Sequence, residues 1–477
     1  MTTLYARLAA IGLAASLTAC VAAPPAEVAT PVPELPATYT FAADAQDAAS
    51  LDALLPSEDA GFVALSTAAL DKSPTLLEAM ARVEAARAGA RRAGAERLPN
   101  FGVDASVTEN RINPNQFGSN NPIAQAIDTT QVSYGANITA RWDADLFGQL
   151  KAQERAAIAR IDAATASASA VRLALLSEIA ASVVDWRALD ARTIAIESDV
   201  AAATRLAALA KTREDAGIAP GFDRVRAEAQ ASASRSRLAA LESERARLLG
   251  RLVTLTSLDG NEVAAALALP TKASAPGAAP ASLPSELLAN RPDVLAAAAE
   301  LAASDAELAA TARSRFPRLT LSGVLGLLSF SPSNFFDEDS LVRTLTAGVA
   351  APLLDFGRIE AEIDGAAAGK KVAFQAYRGA VFQALGDAEA AYGLVAAADE
   401  QAALAAQERD ELERAASLAD DRYRAGLASF LEVLEARRAA DSSGERAAAA
   451  LAGAQRARII LWQALGGDAS ELADNAA

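Results

Sequence analysis

Residues 292–329 read PDVLAAAAELAASDAELAATARSRFPRLTLSGVLGLLS. As far as Arg315 the run is rich in Ala, Leu and Glu, the residues that lose least on entering a helix. Pro317 cannot continue a helix, because its ring fills the space of the preceding turn and it has no N–H to donate. Beyond it the period becomes two: Leu319, Leu321, Gly323, Leu325 and Leu327 alternate with Thr320, Ser322, Val324 and Gly326. A helix over about 285–315 therefore hands over to a strand. The same switch occurs earlier in the chain, where a helix over about 71–97 stops at Pro99. Phe101, Val103, Ala105 and Val107 then alternate with Gly102, Asp104, Ser106 and Thr108. Each strand has a partner in sequence. One runs from Val132 to Trp142, and the other contains Leu345, Ala347 and Val349. Polar loops at 110–130 and 329–342 join the pairs.

The two passages belong to a longer internal repeat. At an offset of 218, Pro74 falls on Pro292, Leu77 on Leu295, Arg97 on Arg315 and Pro99 on Pro317. At an offset of 209, Phe147-Gly148 falls on Phe356-Gly357, Arg213 on Arg422, and Gly217-Ile218-Ala219 on Gly426-Leu427-Ala428. The change of offset gives the first copy a longer loop between its strands. After each strand pair comes a long helical stretch, 149–214 without Pro or Gly and 358–425 without Pro. About 65 residues at a rise of 1.5 Å would extend roughly 100 Å. A glycine turn follows each stretch, and return helices are expected over about 222–257 and 430–465. The resulting division is a first repeat over 51–258, with a β-hairpin at 100–143 and a helical hairpin at 145–258. A linker follows at 259–283. The second repeat covers 284–467, with a β-hairpin at 318–354 and a helical hairpin at 356–466, and a tail occupies 468–477.

Composition removes most chemistries. The 477 residues include no His, one Cys and two Met, and about a quarter are Ala. Without His, the Ser-His-Asp and Cys-His arrangements are impossible, and one Cys cannot build a thiolate cluster. No enzyme, metal site or cofactor is expected. The formal net charge is −16 with no basic stripe, so no nucleic-acid partner is expected.

The amino-terminal residues MTTLYARLAAIGLAASLTAC carry one Arg and then a short apolar core, too short to span a bilayer. Leu17-Thr18-Ala19-Cys20 resembles the lipobox of bacterial lipoproteins. The resemblance implies that 1–19 is a signal peptide and that Cys20 carries covalent lipid, palmitate included. Val21 in the following position leans towards the outer membrane. A Pro-rich tether follows over 20–50.

Ten-residue alternating strands have the length of transmembrane β-strands. Backbone that faces lipid must be fully paired, so such strands close into barrels, and four cannot close alone. Copies of the chain would have to complete the barrel. Alternation alone fits a small soluble sheet with one wet face equally well. The helices offer a similar choice. The stripe Val171, Leu175, Ile179, Val183 and Trp186 suits either an ordinary coiled coil or a hollow cylinder of helical hairpins.

Four stretches carry a family resemblance: LLANRPDVLAAAAELAASDAELAATARSRFPRLTLSG (287–323), APLLDFGRIEAEI (351–363), RYRAGLASFLEVLEARRA (422–439) and LWQALGGD (461–468). In order and in register, over roughly 50–468, they are similar to the TolC-like outer membrane factors. The likeness is to the lipoprotein branch that includes the OprM and NodT groups. The resemblance implies a mainly α fold with a transmembrane β portion. Four strands per protomer would build a trimeric twelve-stranded barrel, and long antiparallel hairpins an α-barrel. It implies a homotrimer in the outer membrane, lipid-anchored and reaching into the periplasm. Such a channel conducts substrates to the exterior from a periplasmic adaptor (membrane fusion) protein and an inner-membrane pump, expected to be of the RND type. The alternative is a periplasmic lipoprotein coiled coil, adaptor or structural, without a pore.

The resemblance also implies site residues. Gly217, Ile218, Ala219, Gly426, Leu427 and Ala428 match the tip turns that dock on the adaptor, where glycine permits a left-handed backbone. Glu432 and Glu435 match acidic residues that ring the periplasmic aperture; three apart, they share a helix face, which a solvated surface would also explain. Asp223 and Tyr423 match partners that hold the two hairpins together in the closed state. A basic gate position of the family is Ala428 here, a departure from the pattern, although Arg224, Arg422 and Arg424 are close by in the sequence.

Overall fold

The computed structural model describes residues 28–42, 51–111, 113, 130–271 and 277–467. The expected signal peptide, Cys20, most of the first interstrand loop and the tail over 468–477 lie outside the described residues. In chain order the elements are α1 (Ala60–Lys72), α2 (Pro74–Ala95), β1 (Asn100–Arg111), β2 (Thr130–Ala144), α3 (Gln149–Asp215), α4 (Gly221–Thr256), α5 (Gly260–Leu267), α6 (Leu287–Asn290), α7 (Pro292–Ala312), β3 (Arg318–Ser329), β4 (Leu341–Ala350), α8 (Arg358–Arg424) and α9 (Phe430–Ala464). The helices expected over 71–97 and 285–315 both start later than their periodicity suggests. Pro74 and Pro292 each take the first helical position, where a missing N–H costs nothing. The described residues form two compact units, one drawn from 84–162 and 299–375, the other from 32–83, 163–298 and 376–467.

The first unit holds the sheet. Its four strands are antiparallel in the order β1-β2-β3-β4, so the two expected hairpins join through β2 and β3. Directly paired residues point to the same side of a sheet. The register Val103↔Ile138, Ile138↔Leu325 and Gly323↔Leu345 therefore places Phe101, Val103, Val107, Ile138, Trp142, Leu321, Leu325, Leu345 and Val349 on one face. The opposite face carries Asp104, Asn137, Thr139, Asp143 and Thr320, with Asn137 Nδ2 donating to Asp104 Oδ2 (3.0 Å) and Thr320 Oγ1 to Asp143 Oδ1 (2.8 Å). Among the described residues nothing covers the apolar face: Val103 is 83% exposed and Leu345 87%. Where the strands meet helices, Phe147 stacks on Phe316 at 4.8 Å, and Leu308, Ile359 and Ile363 form a small core. Gly148 and Gly357, 209 residues apart in sequence, both turn the chain into long helices with positive φ (76° and 86°).

In the second unit the long helices provide the core. Leu175, Ile179 and Val183 of α3 are buried against Phe62, Leu65 and Ala69 of α1, Leu252 of α4, Val263 of α5 and Ile459 of α9. By length and composition α3 contains a stretch apolar enough to cross a membrane, but the stripe expected at 171–186 supplies this core. A second core joins Val381, Ala388, Tyr392 and Val395 of α8 to Leu461 and Trp462 of α9, with Tyr39 from the tether. Alanine makes the close approach possible: Ala384, Ala388 and Ala391 are fully buried. Two arginines, Arg187 partly buried and Arg458 buried, tie the linker to these cores. Arg187 reaches Asp59 (Nε to Oδ2, 2.8 Å) and the Leu267 carbonyl (2.7 Å). Arg458 reaches Asp399 (2.7 Å) and the Gly277 carbonyl (2.5 Å).

Candidate functional site

The two helix–turn–helix tips of the second unit end in the same way. At the end of α3 the Gly217 N–H donates to the Glu214 carbonyl (2.8 Å) and the Ile218 N–H to that of Arg213 (2.9 Å). At the end of α8 the Gly426 N–H donates to Tyr423 (3.0 Å) and the Leu427 N–H to Arg422 (2.8 Å). This crossed pair of bonds is the Schellman termination, which needs a left-handed residue after the helix. Gly217 and Gly426 supply it with φ of 71° and 75°. Space is not the constraint at either glycine, since a Cβ would meet nothing within 4 Å. Each turn then presents an aliphatic side chain to solvent, Ile218 at 69% and Leu427 at 70% exposure.

The starts of the return helices differ. Pro220 precedes α4 and offers no side-chain cap. Ser429 caps α9 in a reciprocal box: the Glu432 N–H donates to Ser429 Oγ (3.3 Å) and the Ser429 N–H to Glu432 Oε2 (2.8 Å). One of the two expected aperture carboxylates is therefore engaged by its own helix. Glu435, one turn on, is exposed.

Tyr423 is 4% exposed and sits in a cluster with Leu206, Ala210, Ala227, Phe430, Val433 and Leu434. Two of its contacts are with residues that the resemblance did not name. The Arg213 guanidinium lies over its ring at 4.5 Å, and Phe430 meets it edge-on at 6.1 Å. Among the hydrogen bonds of the described residues there is none between Asp223 and Tyr423; Asp223 is half-buried at the start of α4. The contact between hairpins here is a cation over an aromatic face. Arg213 could have been found from the repeat, which pairs it with Arg422, but nothing in spacing says that it stacks.

Further into the same unit lies a polar cluster that sequence reading missed. Arg237 of α4 bonds Glu445 of α9 and lies 3.9 Å from Asp199 Oδ2 of α3 and 4.0 Å from Asp441 Oδ2 of α9. Asp199 and Asp441 are largely buried, their side chains 14% and 10% exposed. Burial foremost, and then the neighbouring Asp441, push Asp199 up to about 8. Burial also raises Asp441, against the pull of Arg237 and Arg437. Among the described residues no three His, Cys, Asp or Glu side chains are grouped to hold a metal ion.

The family model described as outer membrane efflux protein matches residues 65–260 and 283–467. The chain is 30% identical over 401 residues to the pyoverdine export outer membrane protein OpmQ of Pseudomonas putida, covering 84% of each chain. It is 29% identical over 483 residues to the outer membrane protein OprJ of Pseudomonas aeruginosa, covering 96% of this chain and 95% of that protein. Among solved structures it is similar to the outer-membrane channel OprN, with a TM-score of 0.84 and 25% identity over 94% of this chain and 99% of that one.

Proposed function

The chain belongs to the outer membrane efflux protein family and is an outer-membrane efflux channel protein, and on that premise we propose that three copies form one conduit. The observation that carries this reading is the sheet. Its apolar face is bare, and among the described residues β1 and β4 each keep one edge without a partner. A bare apolar face with polar groups behind it is the reverse of a soluble sheet and suits lipid outside and water inside. Open edges are not tolerated in lipid, so β4 of one copy pairs with β1 of the next until twelve strands close. The long hairpins would build the matching α-barrel, and the linker and termini a collar.

The matching tips support duplication of one ancestral unit and a shared docking role. Gly217-Ile218-Ala219 and Gly426-Leu427-Ala428 would receive a periplasmic adaptor, with an RND-type inner-membrane pump supplying energy. Cys20 would carry the lipid that anchors the tether. Glu432 and Glu435 of three chains would bring six carboxylates to the aperture and favour cations there. The chain does no covalent chemistry. The test is purification in detergent, native mass spectrometry and planar-bilayer recording. A trimer with discrete conductance steps is expected; a single-chain particle without conductance refutes the reading.

A further inference from the structure

Asp199 Oδ2 is fully buried and accepts no hydrogen bond. An ionised carboxylate leaves such an oxygen empty only at a large cost, because burial removes the water that would otherwise serve it. Arg237 does not answer this need, since its close bond is to Glu445 and it stays 3.9 Å away from Asp199. Three carboxylates, Asp199, Asp441 and Glu445, thus surround one guanidinium. The remaining charged groups lining the space beside the pair are Arg205 on α3, Asp420 and Arg424 on α8 and Arg437 on α9. Arg424 is already paired with Asp420 at 2.7 Å. Gln230 of α4 turns its Oε1 to the Arg438 Nε (2.7 Å).

We infer that Asp199 is held as the neutral acid and that its O–H donates to the Asp441 carboxylate, so that one shared proton ties α3 of the first helical hairpin to α9 of the second. Loss of that proton to solvent leaves two buried anions side by side that share Arg237 with Glu445; Arg192 of α3 stands 3.9 Å from Glu445 rather than at the pair, and Arg437 lines the adjoining space. The hairpins then repel at this level. The link is held at neutral pH and breaks in mildly alkaline medium. Its sign follows from linkage: a carboxyl that binds its proton more tightly folded than unfolded stabilises the fold at low pH, and this stabilisation is lost as pH rises. The tie itself does not depend on the channel reading. Its consequence, that separation of the hairpins is controlled by protons, deepens that reading and rests on it.

The test uses the full-length protein in detergent. Infrared difference spectra taken across pH 6 to 10 (roughly two units on either side of the transition) should show a protonated-carboxyl band that titrates once and is absent in Asp199→Asn. A wild-type protein without such a band overturns the inference. Distances between spin labels on exposed Ala201 of α3 and Leu431 of α9, with Cys20 replaced by Ser, should broaden as the band disappears. Asp199→Asn keeps a donor to Asp441 and removes the titration, so its distances should stay narrow at every pH. If it broadens like the parent, the proton is not the link. Asp441→Asn, which leaves Asp199 free to ionise beside an amide, should shift the infrared transition to lower pH; an unchanged transition also overturns the pairing. Neither readout needs a pore, so failure here and failure of the channel reading are separate outcomes.

Discussion

Removing the Asp59 carboxylate should loosen the linker region in two separable steps. Asp59 is 5% exposed and serves two purposes. Its Oδ1 caps α1 by accepting the N–H groups of Gly61 (2.8 Å) and Phe62 (3.1 Å). Its carboxylate also pairs with Arg187, Nε to Oδ2 at 2.8 Å and Nη2 to Oδ1 at 3.2 Å, and Arg187 is itself only 21% exposed. Losing a cap costs about 1 kcal/mol. Breaking a buried pair costs about 3–5 kcal/mol, because the other charge stays behind. Arg187 keeps its bond to the Leu267 carbonyl (2.7 Å), which points to the lower end of that range. Asp59→Ala should therefore cost about 4 kcal/mol locally, and Asp59→Asn about 3, since the amide oxygen still caps. At about 1.4 kcal/mol per tenfold, amide exchange at Gly61 and Phe62 should accelerate by roughly three powers of ten in the first variant and two in the second. The pH dependence runs opposite to that of Asp199. Although burial alone would raise it, Arg187 and the cap hold the Asp59 carboxyl below its ordinary range. Its contribution is present above the ordinary carboxyl range and is lost as pH falls through the lowered value. Equal exchange in the two variants would refute the division between cap and pair. Unchanged exchange in both would refute the importance of the site.

Gly426→Val forces a β-branched residue to a φ of 75°, at a cost of about 1–2 kcal/mol; the trimer should persist while adaptor capture is lost, and undiminished efflux would show that the tip does not dock. Glu432→Gln combined with Glu435→Gln should weaken cation selectivity in planar bilayers without disturbing the start of α9, because glutamine also completes the box with Ser429. Unchanged selectivity removes these residues from the aperture. Leu345→Arg places a charge on the bare face of β4 and should cost about 2–4 kcal/mol at mid-membrane depth; undiminished yield of heat-resistant trimer in outer-membrane fractions would contradict lipid contact. Cys20→Ser should abolish the lipid mass of the mature chain, whereas an unmodified thiol in the parent would end the anchor proposal.

Much of the fold could be read locally. Pro99 and Pro317 mark the switch from helix to strand, and structure places β1 from Asn100 and β3 from Arg318. The tip glycines could be recognised because only a left-handed turn ends a long helix so abruptly. The site was less legible. Tyr423 stood out, but its real neighbours Arg213 and Phe430 did not, and Asp199 and Asp441 looked like ordinary charges in Ala-rich helices. Glu432 was visible as an acidic residue; that it spends a carboxylate oxygen on Ser429 needed the capped geometry.

By itself the sequence determined the periods, the breaks and the family signature, because these depend on neighbours within a turn or two. Tertiary structure alone decided which distant groups meet. The β2–β3 pairing joins residues such as Asp143 and Thr320, 177 positions apart along the chain. It merges two hairpins into one sheet with one bare apolar face. On helices of 67 residues, a small departure from 3.6 residues per turn accumulates until periodicity no longer says which side faces a neighbour. Only the packed helices show that Asp199 and Asp441 come together, and with them where a proton could hold the two hairpins.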